Sequence, residues 1–139
     1  MTAKEYLSQI HYLNLKINYL KKQIEDYQVQ MRRISSADFD SIRIDKSPSL
    51  EAPFIKPMEK LSEAEDKLKV ELINLKNLKN EIIKTINKVE DEEYRILLKY
   101  RYIHHCSFRE IAIKMYVSET SIRRRHNEAL SMIILTKPL

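Results

Sequence analysis

No glycine occurs anywhere in the 139 residues. Strand-rich folds turn tightly through backbone conformations with positive φ, and glycine is the residue that supplies them without steric cost. A glycine-free chain rich in Lys, Glu, Leu and Ile is therefore expected to be all-α. Four prolines, Pro48, Pro53, Pro57 and Pro138, are the only strong helix breakers, and three of them cluster near the middle. Dinucleotide- and nucleotide-binding loops built on Gly-rich turns are excluded outright.

Apolar residues make up 43% of the chain, but no run of about 18 of them occurs, so no membrane span is expected. The segment Met1 to Ile10 lacks an apolar core, so no secretory signal is expected either. A single cysteine, Cys106, has no internal disulfide partner, which suits a reducing compartment and a cytoplasmic location. The formal net charge of +5 is unevenly placed. Residues 1–93 hold 16 basic and 17 acidic side chains, whereas residues 94–139 hold nine basic and three acidic. A confined basic segment attracts a polyanion, of which nucleic acid is the commonest.

Four regions follow from the patterning. Over residues 1–34, Ala3, Ile10, Ile17, Ile24 and Met31 recur every seventh position, and Tyr6, Leu13, Leu20, Tyr27 and Ile34 form a second series. This a/d pattern predicts one coiled-coil helix of about 48 Å. Residues 35–56 carry loop chemistry in Ser35-Ser36-Ala37-Asp38 and Lys46-Ser47-Pro48-Ser49, and are expected to form a flexible or loosely packed loop. Residues 57–89 form a second long helix, with Leu61, Leu68, Leu75, Ile82 and Val89 every seven and Ala64, Leu72, Leu78 and Ile86 between them. The two helices suit an antiparallel hairpin within one chain or a dimerisation region between two copies; the pattern does not choose. Residues 90–139 are expected to form a small separate domain of three short helices.

That last region carries the chemistry. Ser107-Phe108-Arg109-Glu110 is a capping box opening a short helix with Ile111, Ala112 and Met115 inward. Tyr116-Val117-Ser118 is a turn, and Ser118 caps a helix whose inward positions are Ile122, His126, Ala129 and Ile133. A small Ala in the first helix and an Ile ten residues later is helix-turn-helix spacing. The 100° step then points Thr120, Arg123, Arg124 and Asn127 outward, with Ser121 and Arg125 at one edge. Thr, Arg and Asn hold the donors and acceptors that read base edges in a major groove. Arg109 lies at the start of the preceding helix, where such helices meet the DNA backbone. The bland alternative is a three-helix protein-binding module with a basic face.

Other chemistry-bearing residues point elsewhere. His104-His105-Cys106 has metal-ligand composition but is contiguous, with no second pair at zinc spacing, so no metal and no cofactor are expected. His126 reads as a packed histidine bonding a neighbouring helix or a phosphate. The acidic run Glu90 to Glu93 compensates a helix dipole. No nucleophile is paired with a base, so the chain is not expected to be an enzyme.

The stretch Tyr94-Arg95-Ile96-Leu97-Leu98-Lys99-Tyr100-Arg101-Tyr102-Ile103, followed by Ser107, Glu110-Ile111-Ala112, Met115, Ser118, Ile122, Arg124, His126 and Ala129-Leu130, resembles one family. It is similar to phage and prophage transcriptional regulators of the RinA/ArpU kind, whose C-terminal half is similar to region 4 of sigma factors. The resemblance covers about 40 residues in detail. It implies a sequence-specific binder of double-stranded DNA, an activator of phage late genes that acts as a homodimer through its N-terminal helices and contacts host RNA polymerase. Three positions depart from the pattern: Tyr116 stands where the turn usually has Gly, Arg125 where an apolar residue is usual, and Asn127 where Gly is frequent. Two other functions share the layout. One is a phage DNA-packaging recognition subunit of the small-terminase type, which forms rings. The other is a coiled-coil interaction protein that binds RNA polymerase or a sigma factor.

Overall fold

Residues 1–41 and 52–135 are described by the structure, a computed structural model. Five helices account for most of them, α1 Ala3–Ser41, α2 Ala52–Asn87, α3 Glu92–Tyr102, α4 Phe108–Met115 and α5 Glu119–Ser131, and no strand occurs among the described residues. The protein is all-α, as the absence of glycine requires. Each helix start carries its own reason. A capping box opens α1, with the Glu5 amide donating to Thr2 Oγ1 at 3.1 Å and the Thr2 amide donating to Glu5 Oε2 at 3.2 Å. Asp91 caps α3 by accepting from the Tyr94 amide, and Ser107 and Ser118 cap α4 and α5.

The helices overrun the expected loop. Residues 35–41 belong to α1 and residues 52–56 to α2, so the 35–56 boundaries are corrected inward at both ends; Ile42 to Glu51 lie outside the described residues. The reason is energetic. Ser and Asp inside a helix each cost only a few tenths of a kcal/mol against Ala, too little to stop a long helix that meets no Gly or Pro. Pro53 falls in the first turn of α2, where an amide would have no intrahelical partner anyway. Pro57 lies one turn further in and is itself buried.

The chain divides into two compact units, Leu15–Ile73 and Met1–Asn14 with Asn74–Leu139. In the first, α1 and α2 run antiparallel. Lys16 Nζ meets Glu71 Oε2 at 3.5 Å, and further along α1 Tyr27 shares a shallow groove with Lys60 and Ala64, so numbers rise on one helix as they fall on the other. Ile17, Leu20 and Ala64 are buried there. The heptad seam is thus satisfied within one chain. Leu72, placed in the inward stripe by its spacing, is 43% exposed, because the stripe on α2 drifts between three- and four-residue steps.

In the second unit the start of α1 and the end of α2 build a core with the short helices. Leu7, Ile10, Ile82, Ile86 and Val89 are buried together with Leu98, Tyr102, Ala129 and Ile133. Tyr6 hydroxyl bonds Glu81 Oε1 at 3.2 Å and Thr85 Oγ1 at 3.3 Å, tying the start of α1 to the end of α2. The 90–139 segment is therefore not self-contained: five of the nine buried residues of this cluster come from before position 90. Leu7, one position off the a/d series, is among the most deeply buried side chains. Arg95 fixes the α2–α3 corner, its Nη1 donating to the carbonyls of Val89 and Glu90.

Adjacent residues of α3 face different cores. Leu98 joins the core just described, whereas Leu97 packs with Cys106, Ile111, Ala112 and Ile122. No helix among the described residues is long and apolar enough to cross a membrane.

Candidate nucleic-acid interface

α4, the turn Tyr116–Val117–Ser118 and α5 form the helix-turn-helix. Ile111 and Ala112 are buried on α4 and Met115 half-buried. Ile122, His126 and Ala129 form the buried stripe of α5, at steps of four and three. Ala112 and Ile122 sit in one cluster, so the small side chain lies where the second helix crosses the first. Two cross-links pin α5 to α3: Tyr94 hydroxyl donates to Glu128, and Arg125 Nη1 meets Glu93 Oε2 at 3.3 Å.

The turn keeps a left-handed residue without glycine. Tyr116 has φ 59° and ψ 38°, and its amide bonds back to Ala112 and Ile113 carbonyls. The conformation costs a Tyr about 1 kcal/mol or more. The side chain recovers nothing from packing, being 94% exposed.

The residues singled out on α5 separate by environment. Thr120, Arg124 and Asn127, spaced by four and three, form one exposed stripe opposite the buried one. Arg124 and Arg109 are exposed and have neither an ion pair nor a hydrogen bond to any described residue. Asn127 is exposed and hydrogen-bonds toward His126. Ser121 is half-buried and accepts from Ser118 Oγ at 2.9 Å, so it serves the helix cap. Arg123 donates to Glu119 Oε1 at 2.9 Å, one turn earlier on the same helix. Arg125 is half-buried against α3 through Glu93 and stands apart from the exposed stripe. Five of the seven residues, Thr120, Arg123, Arg124, Asn127 and Arg109, thus present polar groups to solvent, while Ser121 and Arg125 are engaged inside the fold.

Two residues that spacing did not single out lie among them. Phe108, the first residue of α4, has the Arg101 Cζ 4.1 Å and the Arg123 Cζ 4.8 Å from its ring centroid. His126 meets the same ring edge-on at 5.0 Å. Arg101 comes from α3 and also donates to the Cys106 carbonyl at 3.1 Å. The contact joins three helices, so no periodicity within one of them could expose it.

His126 is held neutral. Burial, together with the Arg101 and Lys4 charges, pushes its pKa down to about 4. Among the described residues no group of three or more His, Cys, Asp or Glu is placed to hold a metal ion. His105, in a left-handed conformation at φ 56°, contacts Asn14 Nδ2 through Nε2 at 2.8 Å, and Cys106 is buried.

A three-helix helix-turn-helix unit that shares its core with the start of α1 and the end of α2 defines the architectural class. Residues 58–133, more than half of the chain, match the model of the family described as "Protein of unknown function (DUF1492)", and the chain belongs to that family. No curated protein and no solved structure matches the chain.

Proposed function

We propose that this protein is a sequence-specific double-stranded DNA-binding transcriptional regulator rather than an enzyme. The observation that carries the reading is the α5 surface. Its buried stripe is complete, and the opposite stripe offers Thr120, Arg124 and Asn127 to solvent, with Arg124 unpaired among the described residues. Arg pairs bidentately with guanine and Asn with adenine in a major groove. Arg109, at the start of α4, adds an exposed cation where the DNA backbone would pass. The resemblance to RinA/ArpU regulators extends the proposal to activation of phage late genes in the bacterial cytoplasm, with host RNA polymerase as a further contact.

Self-association belongs to the same proposal. Because the heptad seam is consumed within the chain, a homodimer has to use another face. Within the first unit, the outward side of α1 offers Leu15 and Tyr19, four residues apart and each more than half exposed. Mass in solution tests this: two subunits support the regulator, and a ring of many turns the reading to DNA packaging.

The deciding experiment selects a high-affinity duplex from a random-sequence pool and compares Arg124→Ala on that duplex and on scrambled DNA. A loss of about 1–3 kcal/mol confined to the selected duplex is expected. Failure to enrich any duplex would sink the proposal in favour of a protein-binding module.

A further inference from the structure

We propose that Arg101 and Arg123, laid against the ring of Phe108, form a preassembled site for backbone phosphate; this rests on the DNA-binding reading and adds to it a contact made by α3. The geometry is a small aromatic platform with two guanidinium groups, 4.1 Å and 4.8 Å from one ring centroid, contributed by different helices. A cation against an aromatic face is attracted by the ring's quadrupole, and a planar guanidinium suits that face best. Two cations held by one ring nevertheless repel each other, and phosphate bound to either one offsets the repulsion.

The charge around the platform is undercompensated. Arg123 has one carboxylate partner, Glu119, on the exposed side of its own helix. Such surface pairs are worth a fraction of a kcal/mol and exchange readily for a phosphate. Arg101 has a carbonyl partner and no carboxylate among the described residues. The third neighbour of the ring, His126, is neutral, and the Arg101 charge contributes to keeping it so. Arg109 adjoins Phe108 in the first turn of α4, so the platform lies at the positive end of that helix. Long arginine side chains lose rotamer freedom when they bind an anion; a ring that already holds them lowers that loss. Phe108 is thus a positioning residue, and the phosphate contacts belong to the two arginines.

The test uses the full chain and the selected duplex. Phe108→Leu keeps an apolar side chain and removes the π face; Phe108→Tyr restores the face. In free wild-type protein, ring currents should shift the Arg101 and Arg123 side-chain proton resonances upfield, and Phe108→Leu should abolish those shifts while Phe108→Tyr keeps them. Added duplex should move the same resonances. Affinity should fall about five- to tenfold in Phe108→Leu on selected and scrambled DNA alike, the salt slope should drop by one to two, and Phe108→Tyr should recover to within about twofold. Should Phe108→Leu fail to fold, Arg101→Gln with Arg123→Gln must give the same equal loss on both duplexes. The inference is overturned if the duplex binds without moving these resonances, if the loss is confined to the selected duplex, or if the slope does not change. Ring-current shifts present but no duplex bound at all would instead bring down the DNA-binding reading itself.

Discussion

The hydroxyl of Tyr102 lies 2.7 Å from His126 Nε2, and the two rings stack with centroids 5.6 Å apart. The contact joins α3 to α5 directly beneath the exposed stripe that would read DNA. Both partners are buried, and burial drives their pKa values apart, Tyr102 up to about 12 and His126 down to about 4. Over the physiological range the pair is therefore a hydrogen bond between two neutral groups. It ties α3 to the buried stripe of α5, the stripe opposite the outward-facing residues.

Burial of His126, with the Arg101 and Lys4 charges beside it, makes stability pH-dependent. Unfolded, His126 protonates near its ordinary 6.5; folded, only near 4. Between those values the unfolded state holds the extra proton. The contribution is complete above about pH 6.5 and is lost as pH falls toward 4. Its size is on the order of 2 kcal/mol. His105, whose pKa burial also lowers, acts in the same direction. Urea midpoints at pH 7.5 and pH 5 should fall for the wild type and fall markedly less for His126→Phe. Equal pH dependence in the two would show that another group carries it.

Tyr116 gives the clearest stability prediction. Its backbone is left-handed and its side chain is 94% exposed, so strain is present with no packing to offset it. Tyr116→Gly should stabilise the protein by about 1 kcal/mol, even after the entropy that glycine adds to the unfolded chain, and raise Tm by about 3–5 °C. A Tm that falls instead would mean that the phenol ring makes a contact in solution that holds the turn.

The legible parts of this protein are those written within a single helix. The a/d series of residues 3–34 places Ile10, Ile17 and Leu20, and the capping box at Ser107 and the Ala112–Ile122 spacing place the helix-turn-helix. Contacts between elements are not written in any periodicity. Leu7 and Tyr102 are buried because three or more helices converge on them, and Arg101 reaches Phe108 only once α3 has folded against α4. Helix ends at Ser41 and Ala52 were hidden for a different reason. Ser, Asp and first-turn Pro are weak breakers whose effect depends on where the neighbouring turns begin.

Sharing of the core has a direct consequence for truncation. Leu7, Ile10, Ile82 and Ile86 are all fully buried against the short helices. At about 1.5–3 kcal/mol each, their removal forfeits roughly 6–12 kcal/mol, comparable to the whole stability of a domain. A fragment 90–139 should therefore show low helicity and poorly dispersed NMR spectra. Ile10→Asp in the full chain should unfold α3 to α5 as well as the start of α1. A well-folded 90–139 fragment would refute the shared core.

Arginines of α4 and α5 should divide by whether the fold already uses their charge. Arg125 is half-buried and bound to Glu93 at 3.3 Å, so its guanidinium cross-links α5 to α3. Arg109 is exposed and unpaired among the described residues. Arg125→Ala should lower stability by about 0.5–1 kcal/mol, and should leave DNA affinity within about twofold once the assay temperature is well below Tm. Arg109→Ala should leave stability unchanged, weaken binding to selected and scrambled duplexes equally, and reduce the salt slope by about one. Glu119→Gln provides the opposite sign. It frees Arg123 and removes a negative charge from the approach to a phosphate, so affinity should rise about two- to threefold at low salt, with the gain shrinking as salt increases. Thermal melts and binding isotherms at two salt concentrations separate the three cases. If Arg125→Ala lowers the slope as much as Arg109→Ala does, Arg125 leaves Glu93 for the DNA, and the Glu93 pair belongs to the free protein alone.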